Sequence, residues 1–394
     1  MTVEADMKET GTAGLLEAAR HVAEIARDHR RSSDELRYLA PEAFAAVRDA
    51  GLLRLLMPRR YGGFEASMAT MVECLAAVAE GCPSAAWNIM IANTTAWHFG
   101  RRDRSMQDEV FSSPEVVISG AISPGGSAVK ADGGWIVSGR YPFLSFVRYA
   151  DWVFFPVACK GEDGSDDILS LYCPSSDIKL LDTWHTLGLR GTGSTDGVLE
   201  KLFVPDRRVV RNEDRNAVTE DSLRHATNLY KMPVVCVLPL FIGAVVLGAA
   251  RRGLQVFTEA LGSRTERYSG RAKEQSQAMQ IRLARAASRI DAGALMLQEA
   301  ARLYDERCEA DEILSLSERA RVKWLSVAGT DFLRQGVNEI FDGSGGTAVY
   351  DSSELQAIFR NIHTATHHAV CDIDPAAETY GKILLGAPVD ERII

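Results

Sequence analysis

The chain has 394 residues, 46% hydrophobic and 25% charged, with a formal net charge of −9 and a pI near 5.5. That length exceeds one ordinary core, so two or three substructures are expected in a folded chain of soluble composition. The acidic balance argues against nucleic acid, whose phosphates require a clustered basic surface.

The N-terminus, "MTVEADMKETGTAGLLEAAR", carries acids where a secretory signal would carry basic residues. Residues 1–114 read as a helical domain. "LLEAARHVAEIARDHR" has apolar residues at helical spacing, and "PEAFAAVRDAGLLRLL" opens with proline and reaches Gly51. "PRRYGGFEAS" interrupts the pattern, and "MATMVECLAAVAEGCPSAAWNIMIAN" resumes it. Residues 115–224 read as a β domain. "EVVISGAI", "GGWIVSGR", "DWVFFPVAC", "DILSLYC" and "GVLEKLFVP" are short, rich in β-branched and aromatic residues and separated by turn formers, which suggests a small sandwich or barrel.

Residues 225–394 return to helices. "MPVVCVLPLFIGAVVLGAA" is long enough to span a membrane but contains Pro233 and Pro239 and stands alone, so a buried bundle helix is expected and no membrane partner. "SQAMQIRLARAASRIDAGALMLQEAARLYDE" runs without proline, as a long bundle helix would. The seven cysteines are scattered and form no CxxC pair, so neither a disulfide framework nor a zinc site is signalled and a reduced, cytoplasmic setting is expected. No GxGxxG follows a strand, so a nicotinamide site of the Rossmann type has no support. The fold expected is mostly α with a central β domain: helical domain, β sandwich or barrel, C-terminal four-helix bundle.

One residue stands out. In "GRYPFLSF" the hydroxyl of Ser145 is set among Phe143, Leu144 and Phe146. A strand end facing water would account for it, and so would contact with something flat and buried.

Four stretches together resemble the acyl-CoA dehydrogenase fold, and more closely its oxygen-using branch of two-component (group D) flavin-dependent monooxygenases. They are "YGGFEAS", "AISPGGSAVKADGGWIVSGRYPFLSFVRYADWVFF", "LGLRGTGSTDGVLEKLFVPDRRVV" and "IFDGSGGTAVYDSSELQAIFRNIHTATHHAV". The resemblance implies a reduced flavin, FMN or FAD, supplied by a separate flavin reductase, with O2 as co-substrate adding at the flavin C4a carbon. It implies a homotetramer and a small-molecule substrate.

The resemblance also implies roles for particular residues. Ser145 would bond the flavin N5 edge, and Phe143 would pack on the ring. Ser123 and Ser127, in "SPGGS", would lie where a flavin edge approaches; a plain turn is the alternative. Arg264, with Arg267 beside it, would anchor the flavin phosphate, which suits the bidentate guanidinium fork. Gly345 and Gly346, in "DGSGG", would reach the flavin of a neighbouring subunit.

The last helix separates dehydrogenase from oxygenase. Common acyl-CoA dehydrogenases have a glutamate base after an Arg-Asp pair; here the pair is Arg360-Asn361 and the matching position is Thr366, which cannot act as a base at neutral pH. The stretch offers His363, His367 and His368 instead. Two of them, His363 and His367, are four apart, but without a carboxylate partner no metal site is expected. His368 matches the family histidine near the reactive flavin edge and is the candidate to manage a proton, with His363 as a substrate contact. Phenol-hydroxylating relatives carry a histidine before a tryptophan in the first domain. Aligned on Trp97, a candidate substrate contact, that histidine is Thr95, which is placed with the catalytic residues. Without that base an amine nitrogen is the expected target, as in amino-sugar nitrososynthases of natural-product pathways. The alternatives are a phenol hydroxylase of the same family, an acyl-CoA dehydrogenase and a flavin-binding protein without catalysis.

Overall fold

The computed structural model of the chain describes residues 11–161, 166–211, 218, 221, 227–263, 265, 270, 272–391 and 394. The helical first part comprises α1 (Thr12–Asp28), α2 (Arg30–Leu36), α3 (Pro41–Asp49), α4 (Met68–Gly81), α5 (Pro83–Gly100) and α6 (Arg104–Val110). Ser67 caps α4 by accepting from the Thr70 amide, and prolines open α3 and α5, where a missing N–H costs no hydrogen bond.

The strands are β1 (Ile118–Gly120), β2 (Gly126–Ala131), β3 (Gly134–Leu144), β4 (Trp152–Lys160), β5 (Asp166–Pro174), β6 (Lys179–Leu180), β7 (Thr195–Pro205) and β8 (Val209–Arg211). They form an 8-stranded sheet in the order β6-β7-β3-β2-β4-β5-β8, with β1 pairing parallel to β4. Its two halves meet at one register pair, Ser127 with Ala158, and fold over a shared core. Val137, Tyr141 and Leu199 supply one side of that core, and Phe155, Leu169 and Leu171 the other.

The bundle follows: α7 (Asn228–Lys231), α8 (Leu238–Ser263), α9 (Gln277–Glu309), α10 (Leu316–Ser344), α11 (Glu354–Thr366) and α12 (Ile373–Leu384). A capping box, Ser315 with Glu318, opens α10. The apolar stretch at 232–250 leads into and opens a buried bundle helix, α8, in which Leu240 to Ala250 are buried throughout. Gly248 lets α8 approach α4, since a Cβ there would lie 2.0 Å from the Ala76 carbonyl.

Glu354, at the start of α11, ties three parts together. It takes bonds from Arg252 of α8 at 2.9 and 3.0 Å and from Arg30 of α2 at 2.5 Å. Burial pushes its carboxyl up, but the two guanidinium groups outweigh that and hold it at about 2. The first helices are thereby tied to the bundle.

Candidate active site

β3 loses its regular pairing with β7 between Tyr141 and Leu144. Two aromatic residues there have left-handed backbones, Phe143 at φ 61° and Phe146 at φ 65°. Such conformations are costly for bulky side chains and persist where surroundings enforce them, commonly at functional sites. The outcome is a sorting of rings. Phe146 turns inward against Phe44 and Tyr149, whereas Phe143 is 68% exposed, edge-on to Trp184 with ring centres 6.2 Å apart.

Between them Ser145 is only 4% exposed, so the hydroxyl does not face water. Its Oγ accepts from the Trp87 indole of α5 at 3.2 Å and lies 2.6 Å from Ser194 Oγ. Ser194 Oγ is 2.6 Å from Thr192 Oγ1, which donates to the Leu189 carbonyl at 2.8 Å. Ser119 of β1 donates to the Ser145 carbonyl at 2.7 Å.

The loop that carries these hydroxyls lies on α11. Leu189 has φ 52°, and its N–H donates to Asn361 Oδ1 at 2.8 Å; Arg360 donates to the Leu187 carbonyl at 2.7 Å. Gly188 is needed here, because a Cβ would meet the Arg360 carbonyl at 2.3 Å. The Arg360-Asn361 pair therefore clamps a loop rather than leading to a base, and Thr366 Oγ1 donates back to the Ile362 carbonyl.

His368 lies beyond the end of α11, so it has no fixed angular place on that helix. Its Nδ1 accepts from the Val370 N–H at 3.3 Å, and its ring centre is 6.0 Å from that of Trp87. Burial lowers its pKa, so the ring is neutral and carries its proton on Nε2. Ser145 and His368 thus meet the same indole from two separate elements, 223 positions apart in sequence numbering.

The other expected site residues are dispersed. Ser123 is exposed in the loop after β1, and Ser127 is exposed on β2. Gly345 ends α10 at φ 70°, and Gly346 follows in the open. Arg264 and Arg267 lie outside the described residues. Trp97 is a correction: its ring is fully buried between Phe241 and Tyr304, with its N–H on the Leu229 carbonyl at 3.0 Å, so it fills the core and is closed to substrate. Thr95 has its hydroxyl on backbone carbonyls, the nearest that of Ile118 at 2.7 Å, which pins β1 to α5. That hydroxyl holds structure and is not placed to act as a base. His363 is turned to Asn338 of α10 at 2.8 Å and packs on Phe359. Among the described residues no group of His, Cys, Asp and Glu is arranged to hold a metal.

Asn361 stands out in the sequence only as the partner of Arg360, and Trp87, Thr192 and Ser194 carry no such mark. The hydroxyl-rich "GTGST" is the one signal for Thr192 and Ser194; Trp87 reads as an ordinary helix position.

A buried hydroxyl with a lone pair to spare, a neutral imidazole N–H nearby and an exposed aromatic ring beside them suit a flat cofactor with a heteroatom edge. The domain order, helices, then a sheet, then a helical bundle, is that of the acyl-CoA dehydrogenase type. Residues 15–103 match the acyl-CoA dehydrogenase N-terminal domain and residues 240–373 its C-terminal domain. The chain is 30% identical over 375 residues to the flavin-dependent monooxygenase oxygenase subunit HsaA of Mycobacterium tuberculosis, covering 93% of this chain and 94% of the relative. It is 27% identical over 380 residues to the FADH2-dependent resorcinol hydroxylase oxygenase component of a Rhizobium species, covering 93% and 92%. The crystal structure of XiaF from a Streptomyces species, with FADH2 and glycerol, superposes with a TM-score of 0.90 at 26% identity, covering 98% of both chains. The chain belongs to the acyl-CoA dehydrogenase family, in its branch of two-component flavin-dependent monooxygenases, and is an oxygenase component that works with reduced flavin.

Proposed function

We propose that the chain hydroxylates a phenol-like aromatic ring, with O2 and reduced FMN or FAD delivered by a separate reductase. The observation that carries this reading is the likeness, along 93% of the chain, to an oxygenase component named for a phenolic substrate. It replaces amine oxidation as the leading expectation.

Bound reduced flavin supplies the electrons that activate O2. The residues of the chain supply the surroundings. Ser145 offers an acceptor to the ring edge, and Phe143 offers an exposed face. Trp87 and Phe146, both buried, keep water from the Ser145 side. His368 is the titratable ring brought to this indole; with Nδ1 accepting from the Val370 N–H, it can donate a proton from Nε2.

One observation favours N-oxidation as the second reading. The Thr95 hydroxyl is committed to carbonyls, and His98, three positions on, is held against Arg102 at 3.3 Å. Neither supplies a base beside the substrate, and a neutral amine needs none.

The test is product analysis by mass spectrometry, with a flavin reductase, FMN or FAD, and parallel sets of phenols and amino sugars. Catechol-type products from phenols are expected. Oxygen transfer confined to amine nitrogen would overturn the proposal. Acyl thioester turnover with an electron acceptor, without oxygenated product, would restore the dehydrogenase alternative.

We also place the enzyme in the cytoplasm as a homotetramer. Seven free cysteines support the first, and exposed Leu295, Val349, Tyr350, Leu384 and Leu385 on and beside the bundle helices support the second. Sedimentation of the purified enzyme tests the assembly.

A further inference from the structure

The protons around Ser145 can be counted. Thr192 has one hydroxyl proton, and the carbonyl of Leu189 can only accept, so that proton is committed there. The 2.6 Å contact between Thr192 and Ser194 then requires the proton of Ser194, because two bare lone pairs would repel at that distance. The 2.6 Å contact between Ser194 and Ser145 in turn requires the proton of Ser145. One assignment alone places a proton in every contact. It runs in a single direction, from the Trp87 indole through Ser145, Ser194 and Thr192 to the Leu189 carbonyl. The three hydroxyl residues are 2–4% exposed, so water does not compete for these positions.

Ser145 therefore has no proton left to give. One of its lone pairs takes the indole N–H, and the other remains as an acceptor.

We propose that Ser194 and Thr192 are positioning residues that fix Ser145 as an acceptor and thereby make the site select reduced over oxidised flavin. The inference rests on the reading that Ser145 meets the flavin N5 edge. Reduced flavin carries an N–H at N5 and donates to an acceptor. Oxidised flavin presents a lone pair at N5, which would face the lone pair of Ser145 without a proton between them. A two-component oxygenase that must take up one form and release the other is served by that asymmetry.

The test is the ratio of dissociation constants for oxidised and photoreduced FMN, and separately FAD, measured anaerobically by equilibrium ultrafiltration. In S194A the Ser145 proton is released and can turn to oxidised N5. The preference for reduced flavin should narrow about five- to tenfold, mainly through tighter binding of the oxidised form. S194T, which restores a hydroxyl, should recover the wild-type ratio. T192V, which breaks the relay one step later, should narrow it in the same direction and serves if S194A does not fold. S145A should narrow it through weaker binding of the reduced form.

Loss of packing alone would weaken both flavin forms together and leave the ratio unchanged. A wild-type ratio in S194A or T192V, with S145A altered, would overturn the relay while leaving Ser145 at the flavin. A wild-type ratio in S145A as well would overturn the placement of Ser145 at N5, and the relay's role with it.

Discussion

Asn361→Leu probes how the loop that carries Thr192 and Ser194 is held. Asn361 is 8% exposed, and its Oδ1 accepts the Leu189 N–H at 2.8 Å. Leucine has a similar volume but no acceptor. The lost hydrogen bond is worth about 1 kcal/mol, and stranding a buried donor costs about 1–3 kcal/mol, with some overlap between the two. Leu189 also has a left-handed backbone that its neighbours must enforce. A local loss of about 2–3 kcal/mol is expected, which is roughly a 30- to 150-fold rise in the opening equilibrium of the loop. Hydrogen exchange followed by mass spectrometry on peptides spanning 187–195 would read that rise directly, and weaker binding of reduced flavin should accompany it. Asn361→Asp keeps the acceptor oxygen and should stay close to wild type. Unchanged exchange in Asn361→Leu, or equal acceleration in both variants, would refute the claim that this one bond holds the loop.

Thr95→Val removes the hydroxyl that joins α5 to the Ile118 carbonyl; it should cost about 1–2 kcal/mol in urea unfolding yet leave oxygenation within a few-fold of wild type. A hundredfold loss of product with normal flavin affinity would instead give Thr95 a chemical role. Acid should weaken the fold through its partly buried histidines. Burial, reinforced by Arg102 and Arg101, holds His98 well below its ordinary pKa, and burial lowers His363 and His368 as well. The unfolded chain therefore takes up protons first, from about pH 6.5 downward, and stability present above that pH is lost as pH falls towards the depressed folded values. The urea midpoint should hold steady above about pH 7 and decline towards pH 5, with a shallower decline in His98→Gln; parallel slopes in the two proteins would remove His98 from the account.

Local signals carried much of the architecture. Period-3.6 apolar spacing marks α1, α3 and the long bundle helices, and the runs of β-branched and aromatic residues mark β3, β4, β5 and β7, because each pattern reports which face of one element is buried. The oddity of Ser145 was likewise visible, since a hydroxyl among Phe143, Leu144 and Phe146 departs from its surroundings.

What surrounds that hydroxyl was not visible. Trp87 and Trp97 sit ten positions apart on the same helix, and nothing local distinguishes the indole that reaches Ser145 from the one sealed between Phe241 and Tyr304. Thr95 and His363 have the right chemistry for a site, but backbone carbonyls and Asn338 had already claimed their polar atoms. His368, placed by its sequence with the last helix, lies past its end, because α11 stops at Thr366. A residue type declares which hydrogen bonds it can make, and its place along an element declares which way it faces. Which partner occupies that direction is set by elements far away in the chain, and so the relay from Trp87 to Leu189 exists only in the folded protein.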